Sequence, residues 1–436
     1  MTPSAILTAT LDLMQDIATL ARPADAVVSG WVRQHRDIGE GDRGQIIELC
    51  YALLRHQGRL GWWLAQQGAD DGARNRLLAW LALSGRAPEQ IAKLFSGGRE
   101  APAALSADEL ALVTKLRGAD IDSPSMPEEL RVECPDWAVE PLRRRFGDAF
   151  AREMAALLTA PPLDLRVNPL KATRDEMVAA LRDLGFQPTP LKLAPLGIRL
   201  PERVSLSGLP MLRSGAVEIQ DEGSQLVAML VGARPGERVA DFCAGAGGKT
   251  LALAAAMNNR GHIVACDVSE ARLKRSAERF RRACFHNVET RLLSSETDRW
   301  VKRHKLGYDR VLVDAPCTGT GTWRRNPDAR WRALGEGQGL DNLVPLQARI
   351  LMSAARLVKP GGRLVYATCS MLPEENEAQV EAFLAASPDF ELVKLGEVAP
   401  GLSSAHPDYL SLTPAQHNTD GFFAAVLQRK QAPAAE

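Results

Sequence analysis

The stretch ERVADFCAGAGGKT, residues 237–250, decides how this chain is read. It opens as an apolar strand, reaches an acid at Asp241, and passes into a loop holding Gly245, Gly247 and Gly248. Helix-like sequence, TLALAAAMN, follows at once. Glycines let a backbone approach a ligand closely, and the N-terminus of the next helix offers free N–H groups. Outward from this unit the alternation continues. GHIVACD (261–267), VETRLL (288–293), DRVLVDA (309–315) and GGRLVYAT (361–368) read as strands. SEARLKRSAERFRRAC (269–284) and VPLQARILMSAARLV (344–358) read as helices between them. Strands alternating with helices predict a Rossmann-like, doubly wound parallel sheet over residues 231–430, with ligands bound at the carboxyl ends of its strands.

The rest of the chain has a different texture. Residues 1–120 show apolar side chains at three- and four-residue spacing, as in IIELCYALLRHQGRLGWWLAQQ and NRLLAWLALSG, which predicts an all-α bundle. Residues 121–135 turn polar and Pro-rich and read as a linker. From 136 to 230 a strand candidate, LDLRVN, is followed by a helix candidate, ATRDEMVAALRDLG, with Gly185 as its terminator. A small α+β module is expected there, and a disordered tail over 431–436.

Composition excludes several classes. The 436 residues suit two or three domains, and no apolar run approaches the length of a membrane span. The N-terminus lacks a basic region and carries Asp12 and Asp16, so a cytoplasmic protein with no membrane role is expected. Seven cysteines include no CxxC pair, which argues against structural zinc, and no metal is predicted. The 53 basic and 53 acidic side chains cancel, so any polyanion must meet a local surface. Arg143-Arg144-Arg145 and the Lys274 to Arg282 stretch read as solvated helix faces. WRRNPDARWR (323–332) lies just beyond a candidate active-site loop and reads as substrate contact.

The glycine loop narrows the ligand. A phosphate-binding GxxxxGK[ST] loop would need glycine at Cys243, and a dinucleotide GxGxxG loop would need it at Thr250. A methyltransferase-type loop remains, with Asp267 at the end of the second strand placed to accept hydrogen bonds from ribose hydroxyls.

Two cysteines leave the sheet on the same carboxyl edge, Cys317 in DAPC and Cys369 in TCS, 369 − 317 = 52 residues apart. Singly, each would read as a small buried hydrophobe. As a pair beside a cofactor loop they predict covalent chemistry. Carbon 5 of cytosine is a poor nucleophile until a thiolate adds to C6, and a second group must then assist elimination. Asp314 could hydrogen-bond the exocyclic amine or N3 and favour cytosine over uracil. An adenine N6 methyltransferase would carry an aromatic residue in this turn, which Asp314-Ala-Pro-Cys317 lacks. Spacing alone leaves open which cysteine attacks.

These motifs resemble the Nop/Sun family of RNA cytosine-5 methyltransferases, and within it the bacterial small-subunit ribosomal type. The resemblance runs through LRVN (165–168), QDEGSQL (220–226), the glycine loop, LVDAPCTGTGTWRRNPD, LVKPGGRLVYATCSMLPEENE and DGFFAAVL (420–427). It implies a class I methyltransferase sheet using S-adenosylmethionine, held by Cys243, Ala244, Gly245, Ala246, Gly247, Gly248, Lys249, Asp267 and Asp314. It implies Cys369 as the nucleophile, Cys317 as the residue that assists release, and a NusB-like RNA-binding domain in GDRGQIIELCYALLRH and its surroundings. The expected partner is 16S ribosomal RNA, contacted through Arg166, Asn168, Arg325 and Asn326 by a monomeric enzyme. A transfer-RNA enzyme of the same chemistry and a catalytically silent assembly factor are the alternatives. Two departures stand out: Ala246 where the family has proline, and Ser294 or Ser295, with Asp298 nearby, where it has an acid near the adenine.

Overall fold

A computed structural model describes residues 1–19, 22–200, 209–331 and 339–431. The expected tail thus lies outside the described residues, Gln431 excepted. The chain divides into two compact units, Met1–Thr159 with Trp323–Ala333, and Ala160–Thr322 with Leu334–Glu436.

The first unit is helical. Pro3–Thr19, Ala24–Gln34, Glu40–Arg55, Gln57–Gln66 and Ala73–Leu83 pack around Leu13, Ile46, Leu53, Leu60, Leu64 and Leu77, all fully buried. The expected linker is a correction: Met126, Val132, Glu133 and Cys134 are buried in this unit. The Glu133 carboxylate accepts hydrogen bonds from the backbone N–H groups of Gly58 and Arg59, at 2.8 and 3.0 Å, and from Arg59 Nε at 3.2 Å. Burial raises its pKa, and those bonds and Arg59 oppose the rise. Polar composition suggested solvent, but the partners lie some 75 residues away and leave no local mark. Helices Asp136–Phe146 and Phe150–Ala156 also fall in this unit.

The segment from Trp323 corrects a second expectation. Trp323, Arg324 and Arg330 are buried in the first unit. Arg330 donates to the carbonyls of Glu133 and Leu157 at 3.1 and 2.8 Å, and Asp328 accepts from Ala24 N at 3.1 Å. Arg330 thus holds backbone rather than substrate. Arg325 and Asn326, between them, are half-buried.

The second unit holds two sheets. Strands β1 (Leu163–Val167), β2 (Thr189–Pro190), β3 (Gly197–Leu200) and β4 (Val217–Ile219) form an antiparallel sheet in the order β2-β3-β1-β4. Helix Arg174–Asp183 packs on it and starts at a capping box between Thr173 and Glu176.

The larger sheet comprises β5 (Arg238–Asp241), β6 (His262–Asp267), β7 (Val288–Leu292), β8 (Tyr308–Asp314), β9 (Val358–Thr368), β10 (Phe390–Val393), β11 (Leu410–Leu412) and β12 (Phe422–Arg429). Its order is β7-β6-β5-β8-β9-β12-β10, with β11 against β12. β5 to β9 pair in parallel, while β12 runs antiparallel to β9 and β10. Each strand feeds both faces by period-two alternation. Val239, Leu312, Val365 and Ala367 enter one core with helices Glu222–Val231 and Gly248–Ala256. Ala240, Val311, Val313, Leu364 and Tyr366 enter the other with helices Leu340–Ala355 and Glu377–Ala386. Sheet order reverses at β5, where β6 and β8 flank it, and this is where an open α/β sheet takes its ligand.

Candidate active site

The chain leaves β5 through the glycine loop in a shape that two glycines permit. Gly245 and Gly247 have φ of 55° and 81°, the left-handed region that side chains resist. A Cβ on Gly247 would lie 2.7 Å from the Phe280 ring and 2.9 Å from Ser276, so the loop is closed against helix Glu270–Ala283. A Cβ on Gly245 would meet nothing within 4 Å, so the other side of the loop is open. Asp267, ending β6, ties this loop to its own: Oδ2 accepts from Gly245 N at 2.9 Å and Oδ1 from Ser269 N at 2.7 Å. A carboxylate has further lone pairs, so these bonds leave acceptor capacity for ribose hydroxyls.

A second brace reaches the loop from outside. Arg279 donates to the Ala246 carbonyl at 2.6 Å and pairs with Glu218 at 3.0 Å, and Glu218 also holds Arg282 at 2.5 Å. The carbonyl of the residue that departs from the family pattern is therefore fixed by a guanidinium.

Beneath the loop, Asp241 is fully buried and accepts from Thr250 Oγ1 at 2.7 Å. Burial pushes its pKa up to about 7, the Thr250 bond opposes this, and the Asp314 charge adds to it. Burial likewise raises the Cys243 thiol well above its usual value, keeping it neutral. Lys249 meets Asp314, at the end of β8, at 2.6 Å. Burial alone would push the Lys249 pKa down, but the charge and hydrogen bond of Asp314 reverse this and hold it up. The ammonium also lies 5.3 Å from the centre of the Phe422 ring.

β8 and β9 are parallel neighbours, with Asp314 opposite Ala367. The loops beyond them bring Cys317 Sγ to 3.4 Å from Cys369 Sγ, with both thiols free. The Cys369 contact and burial raise the Cys317 pKa well above the usual thiol value. Either sulfur can donate its S–H to the other. Gly319 has φ of 70°, and a Cβ there would stand 3.9 Å from Cys369 Sγ. Gly321 crosses Gly421 so closely that a Cβ would sit 2.3 Å from the Gly421 carbonyl oxygen. The glycine of DGFF thus has a packing reason.

The structure brings together Asp314, Cys317, Cys369, Lys249 and the glycine loop. It sets two other expected residues apart. Arg166 is buried and donates to Gln220 at 2.6 Å, and Asn168 is buried and donates to the carbonyls of Gly215 and Ala283, each at 3.2 Å. Both hold the second unit's own framework, a correction to their reading as RNA contacts. On the adenine side, Asp298 accepts from the N–H and Oγ of Ser294 and from Trp300 N, which holds its carboxyl down to about 2. It caps helix Arg299–Arg303.

Sequence reasoning missed a hydrogen-bonded network around the two cysteine loops, formed by half-buried Thr318 and buried Thr320, Gln347, Ser370, Glu375 and Asn376. Among the described residues, no group of three or more His, Cys, Asp or Glu could hold a metal, and no helix is long and apolar enough to cross a membrane.

Comparison with known proteins agrees with this architecture. The family described as "16S rRNA methyltransferase RsmB/F" matches residues 228–428, and the RsmF/B-like ferredoxin-like domain matches residues 134–207. The chain is 30% identical over 412 residues to ribosomal RNA small subunit methyltransferase B of Salmonella arizonae, covering 90% of this chain and 92% of that protein. It is 36% identical over 299 residues to a probable ribosomal RNA small subunit methyltransferase B of Synechocystis, covering 68% and 66%. The crystal structure of PH0851 superposes with a TM-score of 0.81 at 26% identity, covering 98% of this chain and 99% of that one. A methyltransferase homologue from Pyrococcus horikoshii gives 0.60 at 32% identity, covering 70% and 99%. The chain belongs to the Nop/Sun family, in its RsmB/F group of 16S rRNA methyltransferases.

Proposed function

We propose that this protein methylates carbon 5 of a cytosine in small-subunit ribosomal RNA, with Cys369 as nucleophile and Cys317 assisting release. The observation that carries this reading is the pair of free thiols 3.4 Å apart beside the Lys249–Asp314 ion pair. The glycine loop fits S-adenosylmethionine, since it is open at Gly245 and carries an acid, Asp267, at the next strand end. Residues Cys243 to Lys249, Asp267 and Asp314 would hold it. When bound, it supplies an electrophilic methyl group on a sulfonium.

The chain's own residues do the rest. The Cys369 sulfur bonds to C6 of the ring and pushes an electron pair toward C5, which becomes nucleophilic. Asp314, steadied by Lys249, orients the pyrimidine through its amine or N3. Once C5 carries the methyl group, a base takes the C5 proton, and its electron pair re-forms the C5–C6 double bond. The C6–S bond breaks to return the thiolate to Cys369, a departure that the Cys317 thiol beside it assists. The first unit, read as NusB-like, supplies RNA contacts, with Arg325 and Asn326 the partly exposed candidates beside the buried arginines. The enzyme works in the cytoplasm as a monomer.

The test is a nucleoside digest after incubating the protein, unmodified 16S rRNA and methyl-labelled S-adenosylmethionine. Label in 5-methylcytidine is expected. Label confined to N4-methylcytidine, an adenine or a ribose would overturn the reading.

A further inference from the structure

Glu375 and Asn376 lie in the turn MLPEEN (371–376) that follows Cys369, and both are fully buried. Buried polar side chains demand partners, and the partners here are specific. Glu375 Oε1 accepts from Thr318 N at 2.9 Å and from Gln347 Nε2 at 2.9 Å, while Oε2 accepts from Thr318 Oγ1 at 2.5 Å. The same Gln347 amide donates to the Pro316 carbonyl at 2.9 Å. Glu375 therefore holds the residue after Cys317 directly and, through Gln347, the residue before it. Asn376 does the same for the other cysteine: Oδ1 accepts from Thr368 Oγ1 at 2.5 Å, and Nδ2 donates to the Ser370 carbonyl at 2.9 Å. Cross-ties join the two loops, with Thr320 Oγ1 3.2 Å from Ser370 Oγ and Gly321 N donating to the Cys369 carbonyl at 3.0 Å.

We infer that Glu375 and Asn376 are paired positioning residues, one for each cysteine loop, which set the separation of the two sulfurs. Adjacent in sequence, they transmit any movement of one loop to the other through a single peptide bond. The Glu375 charge also adds to the neighbouring thiol and burial in keeping the proton on Cys317. Which step each residue controls rests on the roles proposed above: Glu375 would govern release and Asn376 attack.

The experiment uses Glu375→Gln and Asn376→Ala in the full chain, each checked for S-adenosylmethionine binding as a sign of an intact second unit. Phenylarsine oxide probes sulfur separation, since its arsenic bonds to two nearby thiols with release of one water. Cys317→Ala and Cys369→Ala set the one-thiol baseline. Arsenical affinity should fall about tenfold or more in both variants as the chelate is lost. The kcat should fall about a hundredfold with KM for the cofactor unchanged. Glu375→Gln should accumulate a covalent RNA adduct with both cysteines present, and Asn376→Ala should form none. Variants that bind the arsenical and turn over like wild type would overturn the proposal. Weakened arsenical binding with the same adduct behaviour in both would leave positioning standing and overturn the roles given to the cysteines. Glu375→Gln keeps the shape of the side chain, and it carries the test alone should Asn376→Ala fail to fold.

Discussion

The two halves of the site are built by different means. At the ends of β5 and β6 the work is done by backbone: left-handed glycines, a helix N-terminus, and an acid accepting main-chain N–H groups. At the ends of β8 and β9 it is done by the buried side chains of Glu375 and Asn376, which bond side-chain and main-chain groups of the two cysteine loops and of the β9 end. A backbone cradle needs only local sequence, because glycine alone supplies the required φ. A side-chain network needs long-range closure, and each member is costly if left without a partner. Damage to the first half should therefore appear as weaker cofactor binding. Damage to the second should appear as slower chemistry.

That contrast can be broken at four points. Cys369→Ala, deep in the thiol half, should lower kcat by about 10⁴-fold or more while cofactor affinity stays within twofold, measured by single turnover and calorimetry. Residual turnover near wild type would remove the basis for the contrast. Asp314→Asn strikes the ion pair that joins the halves and leaves the buried Lys249 ammonium without its partner. It should lower kcat about a hundredfold and also weaken cofactor binding, and a change in only one of these would show the halves to be separable. Gly247→Ala forces a side chain into the left-handed region and against Phe280. A strain of about 1–2 kcal/mol predicts cofactor affinity weaker by about tenfold with kcat at saturation little altered.

The smallest effect concerns stability and pH. The Asp241 pKa is raised from 3.8 to about 7 by burial. Between those values the folded protein keeps a proton that the unfolded chain has released, so its stability falls as pH rises through that window. Thermal unfolding followed from pH 5 to pH 8 should show Tm dropping by several degrees, at about 2–4 °C per kcal/mol, and Asp241→Asn should lose most of that slope. An identical slope in the variant would mean that Asp241 is ionised in the folded protein throughout.

The same contrast explains what could be read before the structure. The β5 to β9 strands, their helices and the glycine loop are local patterns, and period-two and period-3.6 signals carry them. Cys317 and Cys369 were visible because each ends a recognisable strand. Their support was not: Thr318 and Glu375 are 57 residues apart, and nothing in PEEN announces a carboxylate folded back on a distant threonine. The linker reading of 121–135 failed for a like reason, since Glu133 is polar in composition yet buried by amides far away in sequence. Arg166 and Asn168 show the opposite error. A polar residue at a strand end was read as a ligand contact when it satisfies carbonyl and amide groups of its own unit.

The central claim is that Cys369 makes the bond to the base and Cys317 helps to break it. Incubating Cys317→Ala with 16S rRNA and S-adenosylmethionine, digesting both polymers and locating the nucleotide by mass spectrometry tests this directly. The account predicts a stable adduct carried by the peptide that begins at Leu364 and contains Cys369. An adduct on any other residue, or full methylation with none trapped, would contradict it.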